Sequence, residues 1–307
     1  MSHTKQIRNV TLVGGSGTIG APILSALVAT GHKVSVLSRP ESTATFPSTV
    51  IVHKGRYDDE AFIARILQGQ EVLILALNFG AVTAQEPLIR AAAAAGVAYV
   101  VPCEFGSDAT HEPLGARLDL FSAKAPFRWL VEDLGVSRWI GVVNNPWIEF
   151  CMRLGAFGLD PKGRTARIFG DGAQKANFTT LRRVGESLAA LLALPDAELA
   201  AYGNNWVYFS SFRISQRDLL ESAKRVTGTW DEDWTVISED PEDVIKAAQE
   251  EVAKGNGGAG IRILFALLFS EGMGGDYSAK VIDYKKLGLE PEDLDEVMKG
   301  LVQEMGA

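Results

Sequence analysis

The stretch of this sequence best suited to chemistry is Gly14-Gly-Ser-Gly17-Thr-Ile-Gly20, and the chemistry it suits is the holding of phosphates. Gly14 permits a tight turn, Gly17 lets the backbone approach a pyrophosphate, and Gly20 lets the next helix pack close to the preceding strand. Backbone N–H groups of Ser16, Thr18 and Ile19 would then stand at a helix N-terminus, where unpaired donors and the positive dipole end favour an anion. A second signal lies about 20 residues further on, where dinucleotide sites usually carry an Asp or Glu for the ribose 2′-hydroxyl. No acid occurs there before Glu41. Arg39 takes that place with Ser38 beside it, a guanidinium fork and a hydroxyl suited to a 2′-phosphate. The expected cofactor is NADP(H) rather than NAD.

These residues need a scaffold that gathers strand ends. Val10 to Val13 reads as a buried strand, followed by the glycine turn and a helix from Ala21 to Thr30 closed by Gly31. Further strands are predicted at Lys33 to Leu37, Val50 to Val52, Glu71 to Leu77, Ala98 to Val101 and Ser137 to Val143. Between them lie a helix capped by Asp58 or Asp59 and reaching Gln68, a helix from Gln85 to Ala95, and one after Gly106 running to Leu134. Apolar strands alternating with helices predict a Rossmann-type α/β fold, a doubly wound parallel sheet with right-handed crossovers. Ligands of such sheets lie beyond the carboxyl ends of the strands. That rule directs Asn78, the loop Pro102-Cys103-Glu104-Phe105-Gly106 and the loop Asn144-Asn145-Pro146-Trp147 toward the cofactor side.

After Val143 the pattern changes. Predicted elements are a helix from Ile148 to Phe157, a strand from Thr165 to Gly170, a helix from Leu181 to Ala193 and a strand from Trp206 to Phe209. Ser215 caps a helix to Val226, Asp240-Pro241 starts another, and Pro291 opens the last. The apolar helix Ile261 to Phe269, between glycine-rich turns at 255–260 and 271–275, suits a lid or a surface excursion. The expected division is a cofactor domain over 1–150, with returning segments near 174–212, and a smaller α+β substrate domain over 151–307.

Composition narrows the function. A net charge of −8 argues against a nucleic-acid partner, because phosphate backbones need clustered Lys and Arg. No apolar run approaches the roughly 20 residues needed to span a bilayer. The first eight residues lack the apolar core of a signal peptide, so a cytoplasmic location is expected. Cys103 and Cys151 form no disulfide framework, and His3, His32 and His53 have no metal-ligand spacing, so no metal is expected. None of the six tyrosines has a lysine four residues later, so a Tyr-x-x-x-Lys acid–base pair is absent from the sequence.

The order Gly14-x-x-Gly17-x-x-Gly20, Arg39, Gly55-Arg-Tyr-Asp58, Pro102-Cys-Glu-Phe-Gly106, Lys124 and Ile168-Phe-Gly-Asp-Gly172 resembles the NmrA-like, isoflavone-reductase-like branch of the atypical short-chain dehydrogenases. The resemblance implies an NADPH-dependent reductase of a small apolar, aromatic substrate, of the kind found in secondary metabolism. It makes Lys124 the proton donor or relay beside the nicotinamide, with Pro102, Cys103 and Phe105 at the cofactor. Pro126 sets the helix start near Ala123, which places Lys124 at its N-terminal end. Cys103 stands where the family has Ser. Glu104, His111, Asn145 and Trp147 are the candidates for touching substrate. Two alternatives keep the fold: a non-catalytic NADP(H) sensor, and a non-redox isomerase, cyclase or dehydratase.

Overall fold

The computed structural model describes residues 5–118 and 122–306, and of Phe79 only the backbone. Among the described residues, twelve strands occur in chain order: β1 (Asn9–Val13), β2 (Lys33–Ser38), β3 (Ile51–Lys54), β4 (Val72–Leu75), β5 (Tyr99–Val101), β6 (Arg138–Val143), β7 (Leu159–Asp160), β8 (Thr165–Phe169), β9 (Ala176–Phe178), β10 (Asn205–Tyr208), β11 (Phe212–Ile214) and β12 (Thr235–Glu239). Seven of them form one parallel sheet in the order β10-β6-β5-β4-β1-β2-β3. β1 is central, pairing Val10 with both Val34 of β2 and Val72 of β4. Strand order reverses between β1 and β4, and the Gly14 turn lies at that switch point, where the crevice of such sheets forms.

Both faces of the sheet are covered, which explains why β4, Val-Leu-Ile-Leu, is apolar at every position and wholly buried. On one face lie α1 (Gly20–Thr30) and, from later in the chain, α7 (Leu181–Leu192). On the other lie α2 (Glu60–Ile66), α3 (Gln85–Ala95) and α5 (Ala125–Leu134). Between α3 and α5 a single turn, α4 (Glu112–Gly115), breaks the helix expected from Gly106 to Leu134. The predicted span includes residues 119–121, which are outside the described residues.

The rest of the chain packs α6 (Ile148–Arg153), α9 (Gln216–Thr227), α10 (Pro241–Ala253), α11 (Gly260–Leu268) and α13 (Leu294–Met305) around a separate core, beyond the short α8 (Asp196–Leu199) and α12 (Tyr284–Leu287). The centre of that core is aromatic: Phe157 meets Phe178 and Phe265 edge-on at ring distances of 4.9 and 4.8 Å. Phe265 sits on α11 and is fully buried with Ala266 and Leu268. The apolar helix between glycine turns is therefore core, and the lid expectation fails for it. Two further expectations change. The helix from Ile148 stops at Arg153, and Phe157 is freed from it to enter the aromatic cluster. The last helix starts at Leu294, because Asp293 caps it by accepting from the N–H groups of Asp295 and Glu296 at 2.8 and 3.3 Å. Pro291 lies before that cap.

Candidate active site

The glycine turn is shaped by contacts that only glycine tolerates. Gly14 has φ +83°, and a Cβ there would lie 2.3 Å from the Ala76 carbonyl oxygen. A Cβ at Gly20 would lie 2.0 Å from the Gly14 carbonyl oxygen. The turn is closed by the Gly17 N–H donating to the Gly14 carbonyl at 2.9 Å. Helix α1 then begins with no side-chain cap and no acid in its first turn. Its leading N–H groups and dipole are left to an external anion. The cleft above it, of about 230 Å³, is walled by this turn, Ser38, Arg39, Tyr57 and Asn78. Ser38 is buried at the end of β2, and the Arg39 side chain is two-thirds exposed, held only by Glu41 at 3.4 Å. Such a loose surface pair contributes little and leaves the guanidinium available. Backbone donors at one end and a free guanidinium at the other fit a dinucleotide bearing a 2′-phosphate. Tyr57, Phe46 and Ser42 also line this cleft, and sequence reasoning gave them no role. The Gly55-Arg-Tyr-Asp58 match was the available signal for Tyr57.

The other end of the crevice is built by α5 and the loop after β5. Lys124 is the residue immediately before α5, and its Nζ donates to the Glu104 carbonyl at 2.6 Å. One turn further along α5, Arg128 pairs with the Glu104 carboxylate, both side chains being almost buried. The Arg128 guanidinium in turn lies 4.6 Å from the Trp206 ring centre and 5.8 Å from that of Trp139. The loop 102–106 is thus clamped twice to one helix, once by its backbone and once by a side chain. Between the clamps and Gly106, Phe105 takes φ +31°, a conformation disfavoured for a side-chain-bearing residue. Cys103 donates its thiol to the Leu77 carbonyl at 2.8 Å, and its N–H donates to Gln85 Oε1 at 2.7 Å. Burial pushes the Cys103 thiol pKa up, and the nearby Lys124 charge offsets only part of that. That shift favours the protonated thiol. Sequence reasoning missed Arg128 and Gln85, because each acts through a partner 18 to 24 positions away.

A comparison with protein families matches residues 6–143 to the NmrA-like family. The whole chain is similar to the oxidoreductase aprR of Aspergillus flavus, 29% identical over 309 residues covering 96% of this chain and 98% of the relative. It is similar over a shorter stretch to the phenylcoumaran benzylic ether reductase IRL1 of Ginkgo biloba, 27% identical over 57% of this chain and 62% of that protein. Among solved structures, "AtPrR2 with NADP+ and (+)pinoresinol" superposes with a TM-score of 0.82 at 20% identity, covering 97% of this chain and 99% of that one. The Rossmann-type sheet read from the sequence is the fold they share.

The fold gives several of the expected substrate residues structural tasks. Glu104 is spent on Arg128. Asn145, at φ +50° and wholly buried, donates its amide to the carbonyls of Asn177 at 2.9 Å and Gly275 at 3.0 Å. Trp147 packs edge-on to Phe150 at 5.9 Å and leads into α6. Glu104 and the Asn145 amide nitrogen are thus engaged by the fold, whereas Asn145 Oδ1 and Trp147 Nε1 are buried with no hydrogen-bond partner among the described residues. His111 caps α4 and lines a second cleft with Asp108 and Lys280. Among the described residues, no cluster of His, Cys, Asp or Glu is placed to hold a metal, and no helix is long and apolar enough to cross a membrane.

Proposed function

We propose that this chain is an NADPH-dependent reductase of a small apolar, aromatic substrate, with Lys124 as the proton donor or relay. One observation carries the cofactor part: the glycine turn leading into the uncapped N-terminus of α1 and the loosely held Arg39 line one cleft. Ser16, Thr18 and Ile19 would bind the pyrophosphate through backbone N–H groups, with Gly17 allowing its close approach, Ser38 and Arg39 would bind the ribose phosphate, and Asn78, Pro102, Cys103 and Phe105 the remainder. When bound, the nicotinamide supplies the hydride, and the protein's contribution is position and charge. Lys124 is oriented by the Glu104 carbonyl, so its ammonium has a fixed place from which to release one proton. The aromatic substrate class is carried over from the pinoresinol and phenylcoumaran reductases that the chain resembles. Residues 1–150 with 174–212 would hold the cofactor, and 151–307 would cover the substrate.

Stopped-flow loss of NADPH absorbance with enones and quinone methides tests this. We expect turnover with at least one of them, and a fall of about 10²–10⁴-fold in Lys124→Ala with NADPH affinity retained. Tight NADPH binding with no turnover of any candidate would point instead to a nucleotide sensor. Product formed without net NADPH oxidation would point to a non-redox isomerase, cyclase or dehydratase.

A further inference from the structure

The second cleft, of about 220 Å³, opens off the same end of the sheet and is lined by Asp108, His111, Gln174, Tyr277 and Lys280 with the turn around Gly274. Three strand ends converge there. Asp108 follows β5, Tyr208 closes β10, and Asn145, after β6, holds the Gly275 carbonyl. The cleft also brings a tyrosine and a lysine together across 72 positions, with Lys280 Nζ 3.5 Å from the Tyr208 hydroxyl and 5.0 Å from its ring centre.

The charges here cancel and the donors do not. Asp108 is fully engaged: Thr110 gives Oδ1 its N–H at 2.9 Å and its hydroxyl at 2.6 Å, while Lys280 at 2.8 Å and the Tyr208 hydroxyl at 3.1 Å reach Oδ2. Burial alone would raise the Asp108 pKa, but the hydrogen bonds from Lys280 and Thr110 hold it below the usual carboxylate value. Its negative charge therefore persists and neutralises Lys280, and Asp276, the other carboxylate lining the cleft, is paired with Arg213 at 2.7 Å, so no unpaired cation is left to favour a carboxylate or phosphate ligand. An ammonium has three N–H donors, and Lys280, half-exposed, has one left over after Asp108 and Tyr208. His111 Nδ1 accepts from the Leu114 N–H at 3.3 Å, so the neutral ring carries its proton on Nε2. The space is smaller than the roughly 300–1,000 Å³ of a whole ligand pocket, so it accommodates one end of a molecule.

We propose that this cleft is the polar end of the substrate pocket and takes a neutral carbonyl oxygen, hydrogen-bonded by His111 Nε2–H and the Lys280 ammonium. This rests on the reductase reading and deepens it, by making the substrate an apolar molecule with a carbonyl at one end.

The test uses the NADP⁺-loaded protein, titrated with acetophenone and separately with ethylbenzene while the histidine ring signals are followed by ¹H–¹³C NMR. His111→Asn keeps an oxygen to cap α4, removes the Nε2 donor, and assigns the His111 signal by its loss. Acetophenone is expected to move that signal and to bind about tenfold tighter than ethylbenzene, with the preference falling to within about twofold in His111→Asn. Equal affinities in the native chain, an unmoved His111 signal on acetophenone binding, or an undiminished preference in the variant would each overturn the inference. NADP⁺ affinity, measured in the same samples, separates the two failures. NADP⁺ binding without a His111 response defeats the cleft assignment alone, whereas absence of NADP⁺ binding defeats the reductase reading and this inference with it.

Discussion

The two ends of the crevice are built by opposite means. At the β1–β2 end, the shaping contacts lie mostly within short stretches, Gly14, Gly17 and Gly20 against one another and Ser38 beside Arg39, with the close approach of Gly14 to the Ala76 backbone the one that crosses the chain. At the β5–β6–β10 end, the contacts cross the chain: Glu104 to Arg128, Arg128 to Trp206, Asp108 to Lys280. The first end is fixed by backbone sterics and the second by buried charge. Substitutions should therefore fail differently at each.

The sharpest break is expected at Gly20→Ala. Its new Cβ would meet backbone on Gly14, which cannot rotate away, so α1 must shift off β1. Fluorescence titration should show NADPH affinity reduced by about 100-fold or more, with a lower melting temperature beside it. At the other end, Arg128→Met leaves the Glu104 carboxylate buried without a partner. Breaking a buried pair this way costs about 3–5 kcal/mol, readable by urea denaturation. If that variant is as stable as the native chain, the contrast between the two ends collapses. Arg39→Ala separates binding from folding. It should lower the preference for NADPH over NADH by about 10–100-fold while changing stability by less than about 0.5 kcal/mol, because the Arg39 side chain is exposed. The smallest effect belongs to Cys103→Ser, within about 1 kcal/mol, since a hydroxyl can make the same bond to Leu77. Its pH dependence has a definite sign. The folded thiol ionises above the ordinary value, so its contribution is present below that value and is lost as pH rises toward the raised one. The native chain should weaken more than the serine variant over that alkaline window.

The same contrast explains what was legible. The glycine turn, the central strands and the caps at Ser215 and Asp240 were readable because their determinants are neighbours in sequence. Strands β7, β9, β11 and β12 were not, since β7, β9 and β11 have only two or three residues, and β9, β11 and β12 exist by pairing with distant segments. Lys124 was found through a family pattern, whereas Arg128, which secures the loop it binds, was invisible until the helix placed the two one turn apart. The absence of Tyr-x-x-x-Lys was correctly read, yet the fold sets Tyr208 beside Lys280 all the same. Proline misled once, at Pro291, because Asp293 offered the better cap.

The strand β10 has a further consequence, for the order in which the molecule is made. The chain leaves the sheet at Val143 and comes back at Asn205, so β6 has no neighbour on its outer side until residues 144–204 have been synthesised and have turned round. A nascent chain ending near residue 150 would display an unpaired parallel edge carrying Trp139, and pairings of such sequence separation form slowly. The NmrA-like span therefore does not fold to completion from its own residues. Its last strand is delivered from beyond residue 143, and a truncation at the family boundary should aggregate where the full chain does not.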